Sequence, residues 1–155
     1  MNEQGAQKLL DMLKRHLAFY QEYLVFLQSK LAIMANNQLE ELDAFVKEEE
    51  VFFLRAKGIE RERMQVQEEL GAQDQTFREL IPSFPEELQA EGQTAFRAFS
   101  DTLLDIKATN LQCKSMAELR LHRIQSAIQT LEHSRNAGKE SKAAPDAKGF
   151  VSKKI

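Results

Sequence analysis

From Leu10 the apolar positions fall at Leu10, Leu13, Leu17, Tyr20, Leu24, Leu27, Leu31 and Met34, alternating three and four apart without a miss. That alternation predicts a helix with a narrow a/d seam buried against partner helices. Phe19, Tyr23, Phe26 and Ile33 widen the stripe, so the helix should meet more than one neighbour. Asn36-Asn37 then interrupts a run of good helix formers. Asn37 followed by Glu40 reads as an N-cap with a capping box, in which cap side chain and glutamate satisfy orphan amides reciprocally. A turn at this point would fold a second helix back on the first.

The second helix is expected from about Gln38 to Leu70, with Leu42, Phe45, Phe52, Ala56, Ile59, Val66 and Leu70 near the same spacing. Glu49 and Arg63 occupy seam slots, and Val46 with Phe53 offers an adjacent stripe that could take over. Gly71 stands where a C′ glycine belongs. Gly58, inside the helix, should cost roughly 1 kcal/mol relative to alanine, with close helix packing as the ordinary reason. Asp74 could cap a short helix carrying Phe77, Leu80 and Ile81. Pro82 and Pro85 stop that helix, and Ser83 or Pro85-Glu86-Glu87 starts the next. The last helix is predicted from about Glu86 to Ser134, with a seam at Phe96, Phe99, Leu103, Ile106, Asn110, Cys113, Ala117, Arg120, Ile124, Ala127 and Leu131. A lone asparagine in such a seam fixes register or oligomer state, or is a satisfied core residue.

Composition agrees with this pattern. Three prolines, six glycines and no tryptophan in 155 residues leave too few turn formers for a sandwich or a βαβ fold. The fold class expected is all-α: an antiparallel bundle of three long helices plus a short connecting helix. Residues 135–155 carry six basic against two acidic side chains, which leaves 15 basic against 22 acidic in the preceding body. The body, 1–134, therefore reads as one helical domain and 135–155 as a flexible basic tail.

Net charge of −3 gives no ground for a nucleic-acid binder. No apolar run reaches transmembrane length, the N-terminus lacks a signal-peptide pattern, and the single Cys113 fits a reducing compartment. A soluble cytoplasmic protein without membrane insertion is the expectation. Catalytic and metal patterns are missing: His16, His122 and His133 have no glutamate three residues before them, and no glycine-rich phosphate loop occurs. Glu48-Glu49-Glu50 reads as a solvated face, and Cys113 as a buried small apolar residue. No enzyme, metal or cofactor is expected.

Length adds one functional hint. At 1.5 Å per residue the first two helices should span about 50 Å each and the last about 70 Å. The last helix would outrun the others while still carrying Leu119, Leu121, Ile124, Ile128 and Leu131, and an apolar stripe without a partner marks an interaction site.

The order of features resembles one family. The leucine-rich first helix is followed by a polar break and Leu39-Glu40-Glu41-Leu42. Then come Ile59-Glu60-Arg61-Glu62-Arg63, Glu69-Leu70-Gly71, and a long last helix with Asn110 and Leu111. Over roughly residues 8–134 this is similar to the FlgN-type flagellar export chaperones. The resemblance implies a cytoplasmic type III export chaperone that holds the C-terminal helices of hook–filament junction (hook-associated) proteins of the FlgK/FlgL kind. It would deliver them to an FlhA-like export gate protein. It also implies that the C-terminal amphipathic helix carries the client contact, here Leu111, Leu119, Leu121, Ile124, Ile128 and Leu131. Some members dock on the gate through a tyrosine near the C-terminus. Here the last tyrosine is Tyr23, which leaves Phe150 as a weak substitute. The reading from another class is a structural coiled-coil adaptor or homo-oligomerisation module, which would require a stable oligomer. The chaperone reading goes with a monomer or weak dimer.

Overall fold

A computed structural model describes residues 1–138. Four helices follow one another: α1 (Glu3–Ala35), α2 (Leu42–Glu69), the short α3 (Phe77–Leu80) and α4 (Glu86–Gly138). Single 3₁₀ turns at Leu39–Glu41 and Ile81–Ser83 lie between them, and no strand occurs among the described residues. The all-α class is as expected. Of the expected tail, 135–138 form the last turn of α4, and 139–155 lie outside the described residues. The chain divides into two compact units, Met1–Cys113 and a second that begins at Lys114.

The ends of α1 and α2 are built alike. Asn37 is left-handed, with φ of 56°. The amide of Asn37 donates to the Met34 carbonyl (3.4 Å), and that of Gln38 to the Ile33 carbonyl (3.1 Å). This is a Schellman motif with asparagine at C′. It corrects the expectation of an N-cap: Asn37 closes α1 and does not open α2. The Leu39–Glu41 turn intervenes, and the α2 N-cap Glu41 makes no side-chain capping bond. At the other end Gly71 (φ 68°) donates to Glu68, and Ala72 donates to Gln67 at 2.7 Å, so the C′ glycine stands where it was expected. Gln67, fully buried, fastens the following loop by donating to the Ala72 and Gln75 carbonyls at 3.1 and 2.6 Å.

Helices α1 and α2 run antiparallel, as four ion pairs show: Lys8–Glu69, Arg15–Glu62, Glu22–Arg55 and Lys30–Glu49. One member steps up α1 about every two turns as its partner steps down α2. Inside this ladder Phe19, Tyr23 and Phe26 meet Phe45 and Phe52, with ring centroids 4.9–6.0 Å apart across the interface. The α2 seam keeps its 42–70 register, polar slots included: Glu49 and Arg63 are half-buried in line with Phe45, Phe52 and Ile59. Val46 and Phe53 do not take over; both are exposed. Gly58 meets no atom within 4 Å of a built Cβ, so close packing is not its reason.

The first half of α4 lies along α1 in the same direction. Lys14 pairs with Glu91, the Tyr20 and Phe99 rings meet edge to face at 5.7 Å, and Ile106 joins Tyr23, Phe26 and Leu27. The buried line on α4 is Gly92, Ala95, Thr102, Ile106, Thr109 and Cys113, with Phe99 half-buried between. Three of its positions differ from the expected seam. Ala95, Thr102 and Thr109 are buried, while of the expected residues Leu103 and Asn110 are exposed and Phe96 is half-buried against the core; small residues let two helices approach closely. Both threonine hydroxyls are satisfied within the helix, donating at 2.8 Å to the Ala98 and Asp105 carbonyls. A second cluster under the connector joins Leu9, Leu10, Leu13 and Val66 to Phe77, Leu80, Ile81, Phe84 and Ala95. The α3 cap is Thr76 with Glu79 in a capping box, not Asp74.

Candidate functional site

The second unit consists, in its described part, of the α4 stretch after Cys113. In that stretch the spacing of Leu121, Ile124, Ile128 and Leu131 is three, four and three, which puts all four on one face. Leu121 is 54% exposed, Ile124 50% and Leu131 70%, while Ile128 is half-buried. Leu119 is exposed too, but two positions along a helix is about 200° of rotation, so it lies on the side opposite Leu121. Leu111, also exposed, belongs to the first unit. The six residues expected to share one stripe thus resolve into a face of four and two separate positions. Phe150 lies outside the described residues.

The stretch as a whole carries more positive than negative charges. Lys114, Arg120, Arg123 and Arg135 stand against Glu118 and Glu132 between Lys114 and Gly138. The helix can therefore offer an apolar strip, flanked by charges of both signs, to an amphipathic partner helix.

Cys113, at the boundary of the first unit, is buried, and burial pushes its thiol above the ordinary value. A protonated buried thiol is a poor nucleophile. Asn110 is exposed and so is not a buried seam residue; it lies near Tyr23 of α1. His16 is buried with Nε2 at 3.1 Å from Glu62, a contact for which the sequence offers only the seven-residue stepping of charges as a signal. Among the described residues no group of three or more His, Cys, Asp or Glu is placed to hold a metal ion. No helix there is long and apolar enough to cross a membrane.

Sequence reasoning passed over a second set of exposed apolar side chains, Val51, Leu54 and Met64 on α2 and Leu104 on α4. They lie off the seams, where a search for periodic stripes does not look.

No curated protein and no solved structure matches this chain. A family model does: the model described as FlgN protein matches residues 1–143, the whole of the described helical part included. With nearly its entire length matched and the helix order on the page, the chain belongs to the FlgN family.

Proposed function

We propose that this chain is a cytoplasmic flagellar export chaperone, built as a three-helix antiparallel bundle, that carries its client on the C-terminal part of α4. The client is the C-terminal helical segment of a hook–filament junction protein of the FlgK/FlgL kind, handed on to an FlhA-like export gate. Such segments are apolar on the face they use only after assembly, so a cytosolic cover prevents premature association.

The single observation that carries the reading is the face of Leu121, Ile124, Ile128 and Leu131, three of which are at least half exposed. Covering an aliphatic side chain of this size contributes about 1.5–3 kcal/mol. Each is already partly covered, so the four together supply roughly 3–6 kcal/mol, about the low end of association costs, which permits release.

Isothermal titration of the full chain with peptides spanning those client helices tests the proposal. Saturable one-to-one binding that is lost in Leu121→Asp with Ile128→Asp, while far-UV helicity survives, is the expected outcome. A folded wild-type chain that binds no such peptide, and whose mass in solution is that of a stable dimer, would replace this reading with a structural adaptor.

A further inference from the structure

Arg78 on α3 and Arg97 on α4 line one cavity of about 350 Å³ in the first unit. Gln93 and Ser100 add neutral polar groups from α4, and Ile81, Pro82 and Phe96 supply apolar wall. Both arginines are exposed, and neither has a carboxylate within ion-pair distance among the described residues. Arg15, Arg55 and Arg63, by contrast, are held by Glu62, Glu22 and Glu60. In a chain with more acidic than basic residues, two unpaired guanidiniums facing one cavity leave its charge uncompensated. The planar fork of arginine matches a carboxylate bidentately.

The walls are already fixed. A Cβ on Gly92 would lie 3.2 Å from the Phe84 ring and 3.4 Å from Ile81 Cγ2, so glycine is what lets the connector seat against α4. Gln89 Nε2 donates to the Phe84 carbonyl at 2.9 Å and the Pro82 carbonyl at 3.3 Å, and Ser83 Oγ donates to Leu80 at 2.6 Å. The Thr76–Glu79 capping box holds the start of α3, the helix from which Arg78 projects. A segment that binds here orders little of the protein, which removes one of the usual costs of association.

We propose that this cavity binds an acidic peptide segment, with a carboxylate on Arg78 and Arg97 and a neighbouring apolar side chain against Ile81, Pro82 and Phe96. A bare inorganic anion would leave the apolar wall wet, and a polyanion such as nucleic acid would be repelled by the acidic body. The site is separate from the α4 face of the second unit and does not depend on the chaperone reading.

The test is a titration of the full-length ¹⁵N-labelled chain, followed by amide shifts. The probe is a blocked hexapeptide alternating leucine and glutamate, and its controls are the same peptide with glutamine for glutamate and inorganic phosphate alone. Saturable shifts at Ile81, Gln93 and Ser100 are expected, with the glutamine peptide at least about tenfold weaker, as befits loss of a charge-assisted pair. Arg78→Gln with Arg97→Gln should abolish the shifts. Arg78→Glu with Arg97→Glu should instead favour a peptide alternating leucine and lysine, a reversal that an unfolded variant could not show. No saturable shift, equal binding of the glutamine peptide, phosphate binding as tightly as the peptide, or shifts that survive both variants would each overturn the proposal.

Discussion

Where α1, α2 and α4 meet, Lys30 Nζ donates to both Glu49 oxygens at 2.9 and 3.2 Å, and the Tyr23 hydroxyl reaches the same carboxylate at 3.5 Å. Burial first, and then the nearby Glu49 charge, push the Tyr23 phenol up to about 12. The pair is mostly shielded, with Lys30 and Glu49 side chains 22% and 14% exposed. Removing one partner leaves a half-buried charge uncompensated, so Lys30→Met should destabilise the fold by about 1–3 kcal/mol, read from urea unfolding. Two of the helical glycines, Gly58 and Gly92, should move in opposite directions. Gly58→Ala fills open space on an exposed turn and should stabilise by about 0.5–1 kcal/mol in the same assay. Gly92→Ala would press on Phe84 and Ile81 and should destabilise by about 1 kcal/mol or more. Sequence reading ranked these two wrongly, assigning close packing to Gly58 and nothing to Gly92. A glycine in a helix is the same letter whether it lets an aromatic ring approach or faces water, and only the neighbours distinguish the cases.

At the scale of the elements, what was legible was the period. The α2 seam was legible down to its polar slots, because Leu42, Phe45, Phe52, Ile59 and Val66 mark the register even where Glu49 and Arg63 interrupt it. On α4 the spacing put Phe96, Leu103 and Asn110 inward, whereas at Ala95, Thr102 and Thr109 the preceding residue is the buried one, with Phe96 half-buried beside the core. Hydrophobicity ranks Leu103 above Thr102, but helix spacing decides the packing, and threonine fits once its hydroxyl bonds the preceding turn. The ion pairs across and along α1 and α2 add a charge pattern with a pH consequence. The carboxyls of Glu22, Glu60, Glu62 and Glu69 are held below the ordinary 4.5, chiefly by hydrogen bonds from Arg55, Arg63, His16 and Lys8 respectively. A carboxylate depressed in the folded state binds fewer protons there than in the unfolded chain. Its stabilisation is therefore complete above the unfolded value and is lost as pH falls through the folded one. The urea midpoint should hold from neutral pH to about 5.5 and fall steadily below 4.5. Salt at roughly 0.5 M should shrink that acid-side drop, since these pairs sit in solvent where screening is effective.

For the whole molecule, the division after Cys113 separates the two apolar clusters from the face to which the proposed function assigns the client. Every residue of both apolar clusters lies in the first unit, and so do all four rungs of the α1/α2 ladder and the Arg78–Arg97 cavity. The second unit contributes the face of Leu121, Ile124, Ile128 and Leu131. The continuation of an apolar face along α4 past Cys113 was legible from spacing alone. Its membership was not, since Leu119 joins the count by hydrophobicity and leaves it by rotation. A chain ending at Cys113 should therefore unfold cooperatively, with its midpoint within about 5 °C of the full chain by circular dichroism, because it keeps every core residue named here. The same truncation should lose all titratable binding of FlgK/FlgL-type helices while still giving saturable shifts with the leucine–glutamate peptide. Retention of the client helices by the truncated chain would move the client site into the first unit, where Val51, Leu54, Phe53, Leu104 and Leu111 are among the exposed alternatives. A truncated chain that fails to fold would mean that the helix after Cys113 is itself part of the structure's support, and the separation of scaffold from binding face would fall with it.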